Sequence, residues 1–133
     1  MPISISSTAG GTAYASPFVG APRDVLHVKV DVSALTSDEV DSKGYIKPGT
    51  PLTIAGLLIG SSNTARVGIV MEATKVAAAG ATLSGVTLDP FVAVAFGGTV
   101  NRDIIEDNLG RALSANEIAG LNGVASGIVL SLT

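Results

Sequence analysis

Apolar and polar residues alternate from Leu26 onward: Leu26, Val28, Val30 and Val32 stand against His27, Lys29, Asp31 and Ser33. A period of two predicts a strand with one buried face. Leu52 to Ile59 reads as a second, buried strand broken at Gly56, and Arg66 to Ala77 contains a third, centred on Val67, Ile69 and Val70. Phe91 to Phe96 is a short apolar run after Pro90. Between these runs, Asp38, Glu39 and Asp41 with Ser42 and Gly44 predict a solvated surface turn. Tyr45-Ile46-Lys47-Pro48-Gly49-Thr50-Pro51 predicts a turn whose two prolines keep a central strand from passing through it.

The period changes in the last third of the chain. Asn101 is placed to cap a helix whose apolar face is Ile104, Ile105 and Leu109, and Gly110 sits where that helix should stop. Ser114 and Glu117 have the spacing of a capping box that opens a second short helix, with Ile118 and Leu121 on its buried side. Gly127-Ile128-Val129-Leu130 closes as a strand. Strands first, short helices late and no βαβ alternation predict an α+β, mostly β fold, one small domain over residues 25–133 with no internal repeat.

Residues 1–24 differ from the rest. Ser4, Ser6, Ser7, Thr8, Gly10, Gly11, Pro17, Gly20 and Pro22 give no helical or strand period, so a flexible N-terminal arm is expected there. Its large side chains, Ile3, Ile5, Tyr14 and Phe18, are too widely spaced to form a core. Such an arm is either a solvated tail or a segment that orders on a partner, with those four residues as anchors.

Composition narrows the chemistry. Of 133 residues, 47% are hydrophobic and 14% charged, enough apolar material for a core and far from a disordered composition. With only three Phe, two Tyr and no Trp, that core is built from Val, Ile, Leu and Ala, a β-rich prescription. A net charge of -3 offers no footprint for nucleic acid or an anionic membrane, and the longest strongly apolar run is far shorter than a bilayer span. The start lacks the basic and apolar regions of a signal peptide, so export by that route is not expected. Without cysteine there are no disulfides, thiolate nucleophiles or cysteine metal sites.

The remaining candidate sites are generic. His27, the single histidine, has no Cys or His at ligand spacing. The Asp38 to Asp41 cluster superficially resembles a calcium loop, but Val40 takes an alternate position and the closing Glu is missing. Asp103, Glu106 and Asp107 share helical spacing, which suits paired carboxylates in acid/base work and equally suits complementing a helix dipole. Gly97-Gly98-Thr99 precedes a helix, a context that can cradle phosphate, yet it lacks the spacing of a P-loop or dinucleotide site. No cofactor, metal or enzymatic activity is expected.

Two stretches together resemble the head-decoration proteins of tailed phages, the broad family that includes the lambda-type capsid-stabilising protein. One is Tyr45 to Leu52, similar to the family's turn in which a strand passes a Pro-Gly and continues as an apolar strand. The other is Phe91 to Leu109, where Val92-Ala93-Val94-Ala95 runs into Gly98-Thr99-Val100-Asn101-Arg102 and a short helix; Gly127-Ile128 matches the family's closing strand. The resemblance spans Asp24 to Thr133; the Gly/Ser/Ala-rich start and the acidic Asp38 to Asp41 loop depart from it. It implies a non-catalytic cement protein, often a homotrimer, made in the host cytoplasm. Such a protein binds the major capsid protein on the outer surface of the expanded virion head and stabilises it against packaged DNA. On that reading, Ile3, Ile5, Tyr14 and Phe18 are capsid-binding anchors. A phage-surface module adhering to host glycans is the alternative, and a small hydrolase using Asp103 or Glu106 a third.

Overall fold

The computed structural model describes residues 5–7, 13–61, 63–76, 82–83, 86–87, 90–123 and 127–131. In chain order the strands are β1 (Ile5–Ser7), β2 (Ala13–Ala15), β3 (Phe18–Lys29), β4 (Tyr45–Ile46), β5 (Pro51–Thr53), β6 (Val67–Val70), β7 (Thr74–Lys75), β8 (Thr82–Leu83), β9 (Val86–Thr87), β10 (Phe91–Asn101) and β11 (Gly127–Ser131). Two helices, α1 (Arg102–Leu109) and α2 (Ala115–Leu121), lie between β10 and β11. The mostly β, α+β expectation is what the chain adopts.

β10 is the spine. Along one side it pairs antiparallel with β3, from Phe91 opposite Lys29 to Val100 opposite Phe18. Along the other, its first half meets β6 antiparallel and its second half meets β11 in parallel. β5 completes this sheet beside β6, with Pro51 at its first position, where a missing N–H costs least. The pairs β1–β2, β4–β7 and β8–β9 form separate two-stranded sheets.

Each face of the sheet carries its own core. Val92, Val94 and Phe96 pack with Val28, Val30, Ile46, Leu52, Val70 and Val76 on one face. Val67 and Ile69, which alternate with Gly68 and Val70, turn to the opposite face and pack with Ile59, Val100, Ile105, Leu109, Leu113, Leu121 and Ile128. Phe96 and Val100 would share a face in a regular strand. Gly98, at φ +128°, breaks the alternation so that they serve opposite cores. The Gly97-Gly98-Thr99 segment is therefore the interior of a strand and not a phosphate-binding loop. The strand continues past the apolar run that ends at Phe96, as far as Asn101.

Local chemistry sets the helices as expected. The Asn101 side chain accepts from Asp103 N and Ile104 N, and Gly110 ends α1 in the left-handed region. Ser114 and Glu117 form the reciprocal capping box of α2. The strand expected over Leu52 to Ile59 is shorter than its apolar content suggests. Past Thr53 the chain turns, leaving Ile54 and Leu57 exposed before Ile59 returns to the second core.

Candidate assembly surface

The largest departure from expectation lies in residues 5–7 and 13–24 of the segment expected to be a flexible arm; its residues 1–4 and 8–12 lie outside the described residues. Ile3 lies outside the described residues, and Ile5 belongs to β1, opposite Ala15 of β2. Tyr14 and Phe18 belong to the folded body. Phe18 opens β3 and packs partly buried against the second core, so the arm boundary expected at Asp24 falls inside a twelve-residue strand. No period of two was visible there for a physical reason. Between Arg23 opposite Gly97 and Val19 opposite Thr99, β3 carries two more residues than β10, an irregularity at Gly20 to Pro22 that scrambles the inside-outside alternation.

The root of this segment is tied to three separate elements. Tyr14 Oη donates to Asp41 Oδ2 at 2.7 Å. Asn108 Nδ2, on α1, donates to the Ala15 carbonyl at 2.9 Å and to the Pro48 carbonyl at 3.1 Å. The Asn101 N–H donates to the Pro17 carbonyl at 2.8 Å, extending the β3–β10 ladder. Asp41 is itself held, its Oδ1 accepting from Lys43 N and Tyr45 N. Burial, then the hydrogen bond to Asp41 and its charge, hold the Tyr14 hydroxyl above the ordinary phenol range.

The acidic stretch is a surface turn, as expected, except that Glu39 is buried in it. Glu39 is 2% exposed and accepts from Thr36 N, Thr36 Oγ1 and, at 3.1 Å, from Arg111 Nη2. Arg111 also binds Glu117 through both terminal nitrogens, at 2.8 and 3.0 Å, and Asp38 through Nε. This ion cluster closes the acidic loop onto α2. Of the other predicted carboxylates, Glu106 accepts from Leu113 N and Arg102 Nε, and Asp103 lies in the first turn of α1. These groups are engaged in holding the fold, and they do not converge on a cleft. Among the described residues no group of three or more His, Asp and Glu is placed to hold a metal ion. His27 stands exposed on β3.

The surface that remains is apolar and lies on the sheet. Val19, Thr99 and Val129 form one row across β3, β10 and β11, with Val19 55% and Val129 57% exposed. Their neighbours Phe18, Val100 and Leu130 face the second core, so the row opens on the opposite face. At the other end of β10, Phe91 is 61% exposed and lies opposite Lys29; Val25, also exposed, lies opposite Ala95, which pairs with Ile69 of the second core. Phe91 and Val25 therefore open on the second-core face. Sequence patterning missed Val19 because of the irregularity in β3, and missed Val129 and Phe91 because each belongs to an apolar run that reads as fully buried.

The edge of β3 is less available than its length suggests. The Val30 N–H donates to the Pro90 carbonyl, so by alternation the backbone groups of Val25, His27 and Lys29 point away from β10. Just beyond them, the Gly56 carbonyl accepts from Asp31 N at 3.2 Å and covers the edge, and Gly20 to Pro22 interrupt it at the other end. Both devices are ones that sheets use against edge-to-edge pairing. A shallow depression of about 90 Å3 beside α2, lined by Ile59, Ser61, Asn63 and Asn116 among others, has no aromatic side chain among the described residues of its wall.

No family model matches the chain, and comparison with curated proteins and with solved structures finds no match.

Proposed function

We propose that the protein is a structural head-decoration protein of a tailed phage, binding the major capsid protein on the outer surface of the expanded shell and stabilising it, without catalysis. The observation that carries this reading is the division of labour on the molecule. Its charged and amide side chains at Arg111, Glu117, Asp41 and Asn108 hold the fold together, while the sheet exposes Val19, Val129, Val25 and Phe91. A surface built that way suits broad contact with a partner more than turnover of a small molecule. The resemblance in Tyr45 to Leu52 and Phe91 to Leu109 adds the identity of the partner and the homotrimeric state.

With Tyr14 and Phe18 placed in the body, the shell-binding arm on this reading shortens to residues 1–12 and carries Ile3 and Ile5, the latter on β1, which pairs with β2. Several arms per oligomer act together on this reading, so the affinity of each one can be modest. The glycan-adhesion alternative draws little from the depression at Asn63 and Asn116, which offers no ring for a sugar to stack on. Purified protein mixed with expanded and unexpanded heads should co-sediment with the expanded form. Co-sedimentation with neither, alongside retention on a glycan surface, would replace this reading with the adhesion one.

A further inference from the structure

We propose that Asn108, together with the Tyr14–Asp41 hydrogen bond, is a latch that fixes the N-terminal β1–β2 pair against the domain. This rests on the reading of residues 1–12 as the shell-binding arm, and it assigns positioning roles to residues that would not touch the shell. An arm transmits a pull to its domain only if its root is fixed; a root free to peel away lengthens the tether and dilutes the effective concentration of every arm in the oligomer.

The geometry at the root is specific. Asn108 spends both amide hydrogens on backbone carbonyls from segments 93 and 60 residues away, Ala15 on the arm side and Pro48 in the Pro-Gly turn. One side chain thus ties α1, the root and the turn together. Tyr14, one residue earlier, is pinned to Asp41, and Asp41 is preset by Lys43 N and Tyr45 N whether or not Tyr14 is present. Two residues after Ala15, the Pro17 carbonyl accepts from Asn101, and Pro17 is buried. The latch therefore lies immediately ahead of the first ladder contact of the sheet, where a segment would begin to peel.

Asn108→Asp keeps the side chain's size while replacing both donors with a carboxylate that faces two carbonyls, and Tyr14→Phe removes only the hydroxyl. In the double variant, the Asn101 amide should exchange with solvent about tenfold faster, while Val30 and Val70 amides, bonded to Pro90 and Thr50, keep wild-type protection. Binding to expanded heads should weaken about tenfold, because the arm's root is no longer preorganised. Asn108→Gln, which retains both donors, should recover binding at least in part. Ile118→Ala, which trims the second core outside the latch, supplies a variant with a comparable fall in melting temperature and should bind heads normally.

Unchanged Asn101 exchange in the double variant overturns the latch. So does wild-type head binding by the double variant when a chain lacking residues 1–12 no longer binds. Full binding by that truncated chain overturns the arm reading instead, and the exchange measurement still decides the latch.

Discussion

Arg111 joins two carboxylates that are almost wholly removed from water, Glu39 and Glu117. Removing the guanidinium leaves both charges buried without their partner, a loss in the range of about 3–5 kcal/mol, against a total of about 5–15 kcal/mol for a domain. Arg111→Met should therefore shift the denaturant midpoint far more than loss of a surface ion pair; a change under about 1 kcal/mol would mean that the cluster is solvated in solution. The sequence showed one half of this cluster and hid the other. Glu117 was legible because a capping box is a local code, three residues from Ser114. Glu39 was not, because its partner lies 72 residues further along the chain and only the fold brings them together.

Among the elements, those set by local caps or an unbroken apolar run are legible, and strands interrupted by glycine and proline are not. Both helices start and stop where Asn101, Gly110 and Ser114 say they should. Patterning cuts β3 and β10 short because glycine and proline normally mark turns, whereas here Gly20, Pro22, Gly97 and Gly98 lie inside paired strands. Gly68, on a strand that the pattern does predict, is required for a different reason, close approach to β10. A Cβ there would stand 2.6 Å from the Ala95 carbonyl oxygen and 2.7 Å from Val94 Cγ1, and the backbone atom cannot rotate aside. Gly68→Ala should force β6 away from β10 and destabilise the protein by about 1–3 kcal/mol, readable by thermal or chemical denaturation. Of the candidate site, Tyr14 and Phe18 are expected as anchors on a partner surface, whereas in the structure Tyr14 bonds to Asp41 and Phe18 packs against the second core.

At the scale of the whole molecule, acid should loosen the fold in a defined window. The Leu113 N–H, opposed by desolvation and aided by Arg102, holds Glu106 below its ordinary 4.5. Burial alone would raise Glu117, but the hydrogen bonds from Arg111 and Ser114 outweigh it and the net shift is downward. Folded-state values below the unfolded ones mean that the unfolded chain binds more protons. The stability contributed by these two groups is complete above about pH 4.5 and is lost as pH falls through the depressed values. Denaturant midpoints taken from pH 7 down to pH 3 should hold steady and then decline below that point, and Arg111→Met should lack the Glu117 share of the decline.

The row Val19, Thr99 and Val129 opens on one face of the sheet at one end of β10, while Phe91, at the opposite end, and Val25, beside Ala95 in mid-strand, open on the other face. On the proposed reading, a flat support could cover only one of these faces. A copy resting on either patch presents the other to whatever lies beside or above it. Seating and stacking would then be separate events, each removable by a charge placed in its own patch.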